Sequence, residues 1–187
     1  MIIFERAGRR NTMATLETAF DFANLKGIET IVIASTYGDT ALKALELKEG
    51  QGSSAPNLVV VTHNFGFKGE PTLEMTSEVR KELEGRGVRV HTGTMPFRTI
   101  GTAIRGTLGY SQQDLIANTL RLLGQGVKVC VEIVLMAFDG GLIGTDDVIS
   151  VAGTGRGADT ACVIKPAPSN RLFELKVRQI LAKPFDW

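Results

Sequence analysis

An α/β fold, a mostly parallel sheet with helices on both faces and an antiparallel last strand, is what this 187-residue sequence predicts. The first reason is a set of short, β-branched runs, IETIVIAS, NLVVVT and DDVISVA, that are apolar throughout, as strands covered on both faces read. The second is that helical patterns with apolar residues every three or four positions lie between the early runs, and strands alternating with helices build a layered α/β sheet. The third is size: a chain of this length with 43% apolar residues can bury a core as a single domain, taken here as residues 1–187.

In chain order, Asn11 and Thr12 precede a helix in TMATLETAFDFANLKG, where Leu16, Ala19, Phe20 and Ala23 form the inner face and Gly27 the stop. IETIVIAS is the first assigned strand. TYGDTALKALELKEG then turns and continues as a helix, with Thr36 and Asp39 at capping-box spacing. NLVVVT, residues 57–62, is the next strand, and HNFGFKGEP, residues 63–71, is loop by its glycines and proline. TSEVRKELEGRG predicts a helix ending at Gly85, and VRVHTG, residues 88–93, a third strand.

TMPFRTIGTAIRGTLGY is the least regular stretch and is expected to hold a short helix between glycine-rich turns. Ser111 and Asp114 open an amphipathic helix in SQQDLIANTLRLLGQG that closes at Gly124. VKVCVEIVLMAF is apolar almost throughout, and periodicity does not separate a buried strand from a buried helix. The expectation is a strand to about Val131 followed by a short helix. DDVISVA and TACVIKPA follow as strands, and SNRLFELKVRQILAKP is expected to be a terminal helix stopped before Pro184.

The net charge of +1 supplies no field for nucleic acid. No apolar run approaches the ~18 residues of a spanning helix, and MIIFERAGRRNT does not have the build of a signal or transit peptide. A cytoplasmic location is therefore expected by default, with neither membrane nor nucleic acid as partner. Cys130 and Cys162 sit in apolar surroundings without a CxxC pair, so no disulfide framework and no metal site is expected.

Ligands of open α/β sheets bind at the carboxyl ends of the strands, where strand order reverses. Three loops leave strands there. In STYGDT, Ser35, Thr36 and Thr40 offer hydroxyls, Gly38 allows a turn, and Tyr37 and Asp39 complete a segment leading into a helix whose free amides favour a phosphate. In VAGTGRGADT, Gly153, Gly155 and Gly157 alternate with Thr154 and the cation Arg156, before Ala158, Asp159 and Thr160. Such a loop suits an anion cradle or a long hairpin. If the two loops meet, they close around one phosphate. The third loop, THNFGF, brings His63, Asn64, Phe65 and Gly66, an amide and an aromatic face that suit a flavin or a base. Phe67 is expected to tuck under the sheet. No GK[ST] occurs, and the GxG at 153–155 opens no helix, which argues against P-loop and Rossmann chemistry.

The order IETIVIASTYGDTALKAL, APNLVVVTHNFG and DDVISVAGTGRGADTACVIKPA resembles the C-terminal domain of pyruvate kinase, where a Ser/Thr-rich turn and a late glycine-rich loop hold a sugar phosphate. With NTMATLETAFDFANLKGI, LGYSQQDLIANTLRLLGQGVKVCVEIVLMA and FELKVRQILAKPF included, nearly the whole chain is similar to the stand-alone archaeal pyruvate kinase C-terminal-domain-like family. That resemblance implies FMN binding with undetermined activity. By position it implies a phosphate turn at Ser35, Thr36, Gly38, Asp39 and Thr40 and a late loop at Gly153 to Gly157. Placing the flavin ring at His63, Asn64 and Phe65 is a geometric inference and no part of the motif. The catalytic barrel of pyruvate kinase has no counterpart here, so its activity is not expected, and residues 94–110 are an addition in which Arg98 or Arg105 approaches the ligand if the segment forms a lid. The family's use of this domain at subunit contacts implies a homo-oligomer. Two functions stand: an FMN-dependent oxidoreductase, or a non-catalytic sensor of a phosphorylated metabolite. Whether the chain is an enzyme stays open at this level.

Overall fold

The computed structural model describes residues 1–187. In chain order the elements are β1 (Ile2–Arg6), α1 (Thr12–Lys26), β2 (Thr30–Ala34), α2 (Asp39–Gln51), β3 (Asn57–Val61), α3 (Ser77–Gly85), β4 (Arg89–His91), α4 (Thr99–Leu108), α5 (Gln112–Arg121), α6 (Gln125–Asp139), β5 (Val148–Ala152), β6 (Thr160–Lys165) and β7 (Lys176–Asp186). They form one seven-stranded sheet in the order β1-β7-β6-β5-β2-β3-β4. β2 pairs in parallel with β3 and β5, and β3 with β4. β6 runs antiparallel to β5 and to β7.

Successive strand residues point to opposite faces, and this sorts the core into two layers. Ile31, Ile33, Leu58, Val60, Ile149 and Val151 pack under α1 and α2 against Leu16, Phe20, Ala41 and Leu45. Val32, Val59, Val61, Val148, Cys162 and Ile164 pack on the other face against Val127, Cys130, Val131 and Val134 of α6. The uninterrupted apolar runs of the sequence reflect these two covered faces, and the expected three-layer α/β fold is the one observed. β6, the last strand assigned from sequence, is the antiparallel one.

Three local expectations need correction. Residues 127–138 contain no strand: α6 is one helix, apolar all round because the sheet covers one side and α5 and the segment before α4 cover another. The C-terminal helix is also absent. Ser169–Glu174 form a short 3-10 turn, and Lys176–Asp186 pair as β7 with β6 on one side and β1 on the other. Pro184 marks no helix stop; it lies past the β6 pairing, which ends at Ala182, with β1 as its neighbour through Phe4. A strand tolerates proline where no ladder donor is required. Finally, β1 was unassigned from sequence because its flanks are exposed and its pairing with β7 is non-local.

Buried polar groups cluster where α6 meets its neighbours. Lys128 and Glu132 form a buried ion pair one turn apart, and Glu132 Oε1 accepts the Phe97 amide at 2.8 Å. Burial pushes the Lys128 ammonium below its ordinary pKa, against the opposing pull of Glu132. Among the described residues no helix is long and apolar enough to cross a membrane, and no group of three or more His, Cys, Asp and Glu is placed to hold a metal ion.

Candidate functional site

β2, β3 and β5 are adjacent and parallel, so the segments leaving their carboxyl ends emerge side by side. From β2 the chain passes to β3 on one side while β5 lies on its other side, which makes this edge the point of strand-order reversal. A cavity of about 330 Å³ opens there, within the roughly 300–1,000 Å³ usual for small-molecule sites. Ser35, Thr36, Tyr37, Asp39 and Thr40 form one wall, Gly153, Gly155, Arg156 and Gly157 a second, and His63 with Phe67 a third. Arg98, Gln125 and Val129 close it from the α6 side.

The turn after β2 is shaped by Gly38, whose φ of +99° starts α2 and whose missing Cβ would stand 2.3 Å from Val79 Cγ1. Thr36 does not cap the helix as its spacing with Asp39 suggested; Gly38 is the N-cap, and no side chain caps there. Instead Ser35 Oγ accepts the Ala41 amide at 3.2 Å, and Leu42 makes the first bond back to Gly38. The amides of Asp39 and Thr40 precede those bonds at the positive end of the helix, and both residues line the cavity.

The late loop is tied down from behind. The Asp159 carboxylate is buried and accepts the amides of Gly8 at 3.0 Å and Thr154 at 3.1 Å and the Thr160 hydroxyl at 2.9 Å. Ala158 donates its amide to Thr12 Oγ1. Asp159, Ala158 and Thr160 thus brace the loop and lie outside the cavity lining, while the glycines and Arg156 form its surface. Gly153 and Gly157 are also packing requirements: a Cβ would lie 2.5 Å from Gly157 O in the first case and 2.5 Å from Thr12 Oγ1 in the second. Thr154 Oγ1 is buried without a hydrogen-bond partner among the described residues.

Arg156 reaches across the mouth. Its Nη2 donates to Asp39 Oδ2 at 3.2 Å and its guanidinium lies 4.5 Å above the Tyr37 ring. Arg9 approaches the same carboxylate at 3.8 Å. The two loops meet, with the Asp39 carboxylate between the guanidiniums. On the outer side of Tyr37, Lys68 donates to the phenol oxygen at 2.6 Å, and that bond raises the lysine pKa.

The third loop is divided. His63 lines the cavity and stacks on Phe67 with ring centroids 3.8 Å apart, and the Arg98 guanidinium lies 4.6 Å from the centroid of the Phe67 ring. Phe65 is 59% exposed and, with Asn64, faces a separate shallow depression beside α4. Gly66, at φ +76°, turns the chain between the two phenylalanines and lies outside the cavity. Phe67 packs against the core under the sheet, as expected, and also forms the aromatic wall of the cavity, whereas Phe65, expected at the ligand, stands outside it. Arg98 reaches the cavity from the added segment, whereas Arg105 pairs with Asp114 on α5. Sequence reasoning missed Gln125 and Val129 because it placed a strand where α6 runs, and it missed Glu74, which meets His63 from a loop that carried no signal.

A larger hollow of about 1090 Å³ lies at the opposite edge of the sheet, among Lys26, Glu29, Arg89, Asp146, Asp147 and Arg178. Its cations and carboxylates are equal in number, and Arg178 holds Asp147 at 2.8 Å.

No family model matches the chain. It is similar to part of the pyruvate kinase of Cryptosporidium parvum in three solved structures. With the structure in complex with ADP it shares 18% identity at a TM-score of 0.43, over 83% of this chain and 24% of that one. A second gives 18% identity and 0.42 over 83% and 23%, and a third 18% and 0.37 over 75% and 20%, so this chain spans less than a quarter of the length of the enzymes it matches.

Proposed function

We propose that this chain binds FMN at the cavity between the 35–40 and 153–160 loops, with the phosphate toward the start of α2 and Arg156 and the flavin ring toward His63 and Phe67. The observation that carries the reading is the meeting of these two loops: Arg156 donates to Asp39 across the mouth of a cavity at the strand-order reversal. An anion suits one end, where the start of α2, with its helix dipole, and the guanidinium of Arg156 lie. A planar ring suits the other, where the stacked pair of His63 and Phe67 offers an aromatic face and Gln125 an amide. When bound, FMN supplies the redox chemistry, and the chain holds, orients and shields it.

Among the described cavity residues His63 is the one imidazole and Asp39 the one carboxylate. That sparseness keeps a second reading in play, a non-catalytic sensor in which a phosphorylated metabolite occupies the same anion end. Titration of the purified chain with FMN, followed by flavin fluorescence quenching, tests the first reading. Saturable binding competed by inorganic phosphate supports it. A chain that ignores FMN but binds sugar phosphates supports the sensor. Reduction of bound FMN by a nicotinamide donor then separates an oxidoreductase from a flavin-binding sensor.

A further inference from the structure

Two side chains of the cavity wall, Thr36 and His63, and the buried Glu74 behind them form a series that anion binding does not require. The Glu74 side chain is only 7% exposed, and its Oε1 lies 3.2 Å from His63 Nδ1. A carboxylate can only accept, so Nδ1 carries the proton and Nε2 of the neutral ring is a bare lone pair. That nitrogen lies 3.4 Å from Thr36 Oγ1. Stacking on Phe67 fixes the plane of the ring. Thr36 itself stands in the turn between the end of β2 and the start of α2. A hydroxyl at a strand-to-helix turn, a base within reach and a buried group orienting the base are the parts of an activated nucleophile.

We propose that Thr36 is a phosphoryl acceptor, with His63 as its general base and Glu74 as the residue that positions His63. The wall around Thr36 selects the group transferred, because Arg98, Arg156 and the first amides of α2 favour the charge of a phosphoryl group over a neutral acyl carbon. His63 is committed as base, so the leaving group must depart without a proton. An acyl phosphate meets that condition. The Thr36 oxygen forms a bond to phosphorus as the bridging P–O bond breaks, and its electron pair leaves with the carboxylate product. The hydroxyl proton passes to Nε2, and the resulting imidazolium is held against Glu74. The proposal rests on the anion-site reading of the cavity and does not depend on the flavin.

The test incubates the full chain with acetyl phosphate and maps the product by intact mass and peptide sequencing. The expected result is one phosphoryl group on Thr36, at a rate that saturates with acetyl phosphate. Thr36→Ser should be labelled at the same position and Thr36→Val should not. His63→Gln should slow labelling about a hundredfold, the lower range for loss of a general base. Glu74→Gln should slow it too and, with circular dichroism unchanged, should release the fixed Nδ1–H tautomer in the nitrogen-15 spectrum of His63. A folded wild-type chain with no label at Thr36, an acid-labile label on His63, or wild-type labelling in His63→Gln would each overturn the proposal. A chain that binds FMN but takes no label retires the relay alone, and one that is labelled but ignores FMN retires the flavin alone.

Discussion

Arg156 and Asp39, 117 residues apart in the chain, are joined by a 3.2 Å hydrogen bond that closes the late glycine loop onto the start of α2. Both side chains remain largely exposed, at 60% and 45%, so the pair contributes little to stability, about 0.2–1 kcal/mol. Its effect lies in the site. The Asp39 carboxylate lies within ion-pair distance of both Arg156 and Arg9, so under the proposed function an incoming phosphate competes with it for these cations.

Asp39→Asn should therefore tighten FMN or phosphate binding, because Arg156 is freed and a like charge is removed. Arg156→Ala should weaken binding by about 1–3 kcal/mol, the range for a hydrogen bond to a charged group. Isothermal titration of both variants checks the pair. Thermal midpoints should stay close to that of the parent, and equal affinity in all three proteins would place the anion elsewhere.

The presence of Phe67, and not Phe65, in the cavity wall gives a second prediction. Phe67 stacks on His63 and lies within 4.6 Å of the Arg98 guanidinium, so Phe67→Leu should weaken FMN by about 0.5–1.5 kcal/mol, the range for an aromatic pair beyond its buried area. Phe65→Ala should leave it unchanged. Fluorescence titration of the two variants distinguishes the walls, and it also shows whether Arg98 needs its aromatic support: Arg98→Ala should follow Phe67→Leu.

What was legible in the sequence, and what was not, divides along local and non-local physics. VISVA, NLVVVT and the turn STYGDT carry their structure locally: two covered faces demand continuous apolar residues, and a glycine between strand and helix marks the turn. α6 and β7 do not. An all-round apolar segment satisfies a buried helix or a buried strand equally, and only the partners of α6 decide. LKVRQILAKPF gains its extended form from β1 at one end of the chain and from β6, neither visible in a local window. The same holds in the site. Gly66 at φ +76° turns the chain between Phe65 and Phe67, and Glu74 reaches His63 from eleven residues on.

The reassigned helix can be tested at Gly126. There a Cβ would lie 2.0 Å from Thr160 Oγ1 and 2.5 Å from Thr160 Cβ, so the first turn of α6 rests directly on the start of β6. Gly126→Ala should cost about 1–3 kcal/mol through overpacking, despite alanine's better helix propensity. Urea unfolding measures it. A stabilised variant would show that α6 does not approach β6 at this point.

His91 supplies the pH dependence. Its ring is wedged between Gly93 and Gly140, where a Cβ would lie 2.7 Å and 2.8 Å from ring atoms. Burial, aided by the charge of Arg80, holds its pKa below the ordinary 6.5, with Asp139 pulling weakly the other way. The unfolded chain then binds a proton that the folded chain resists, so stability falls as pH drops below about 6.5. The loss continues until the folded-state pKa is passed and is absent above the unfolded value. Thermal midpoints measured from pH 8 to pH 5 should show this decline, and His91→Gln should flatten it, whatever its own offset in stability. A variant that keeps the full slope would move the titrating group to another residue.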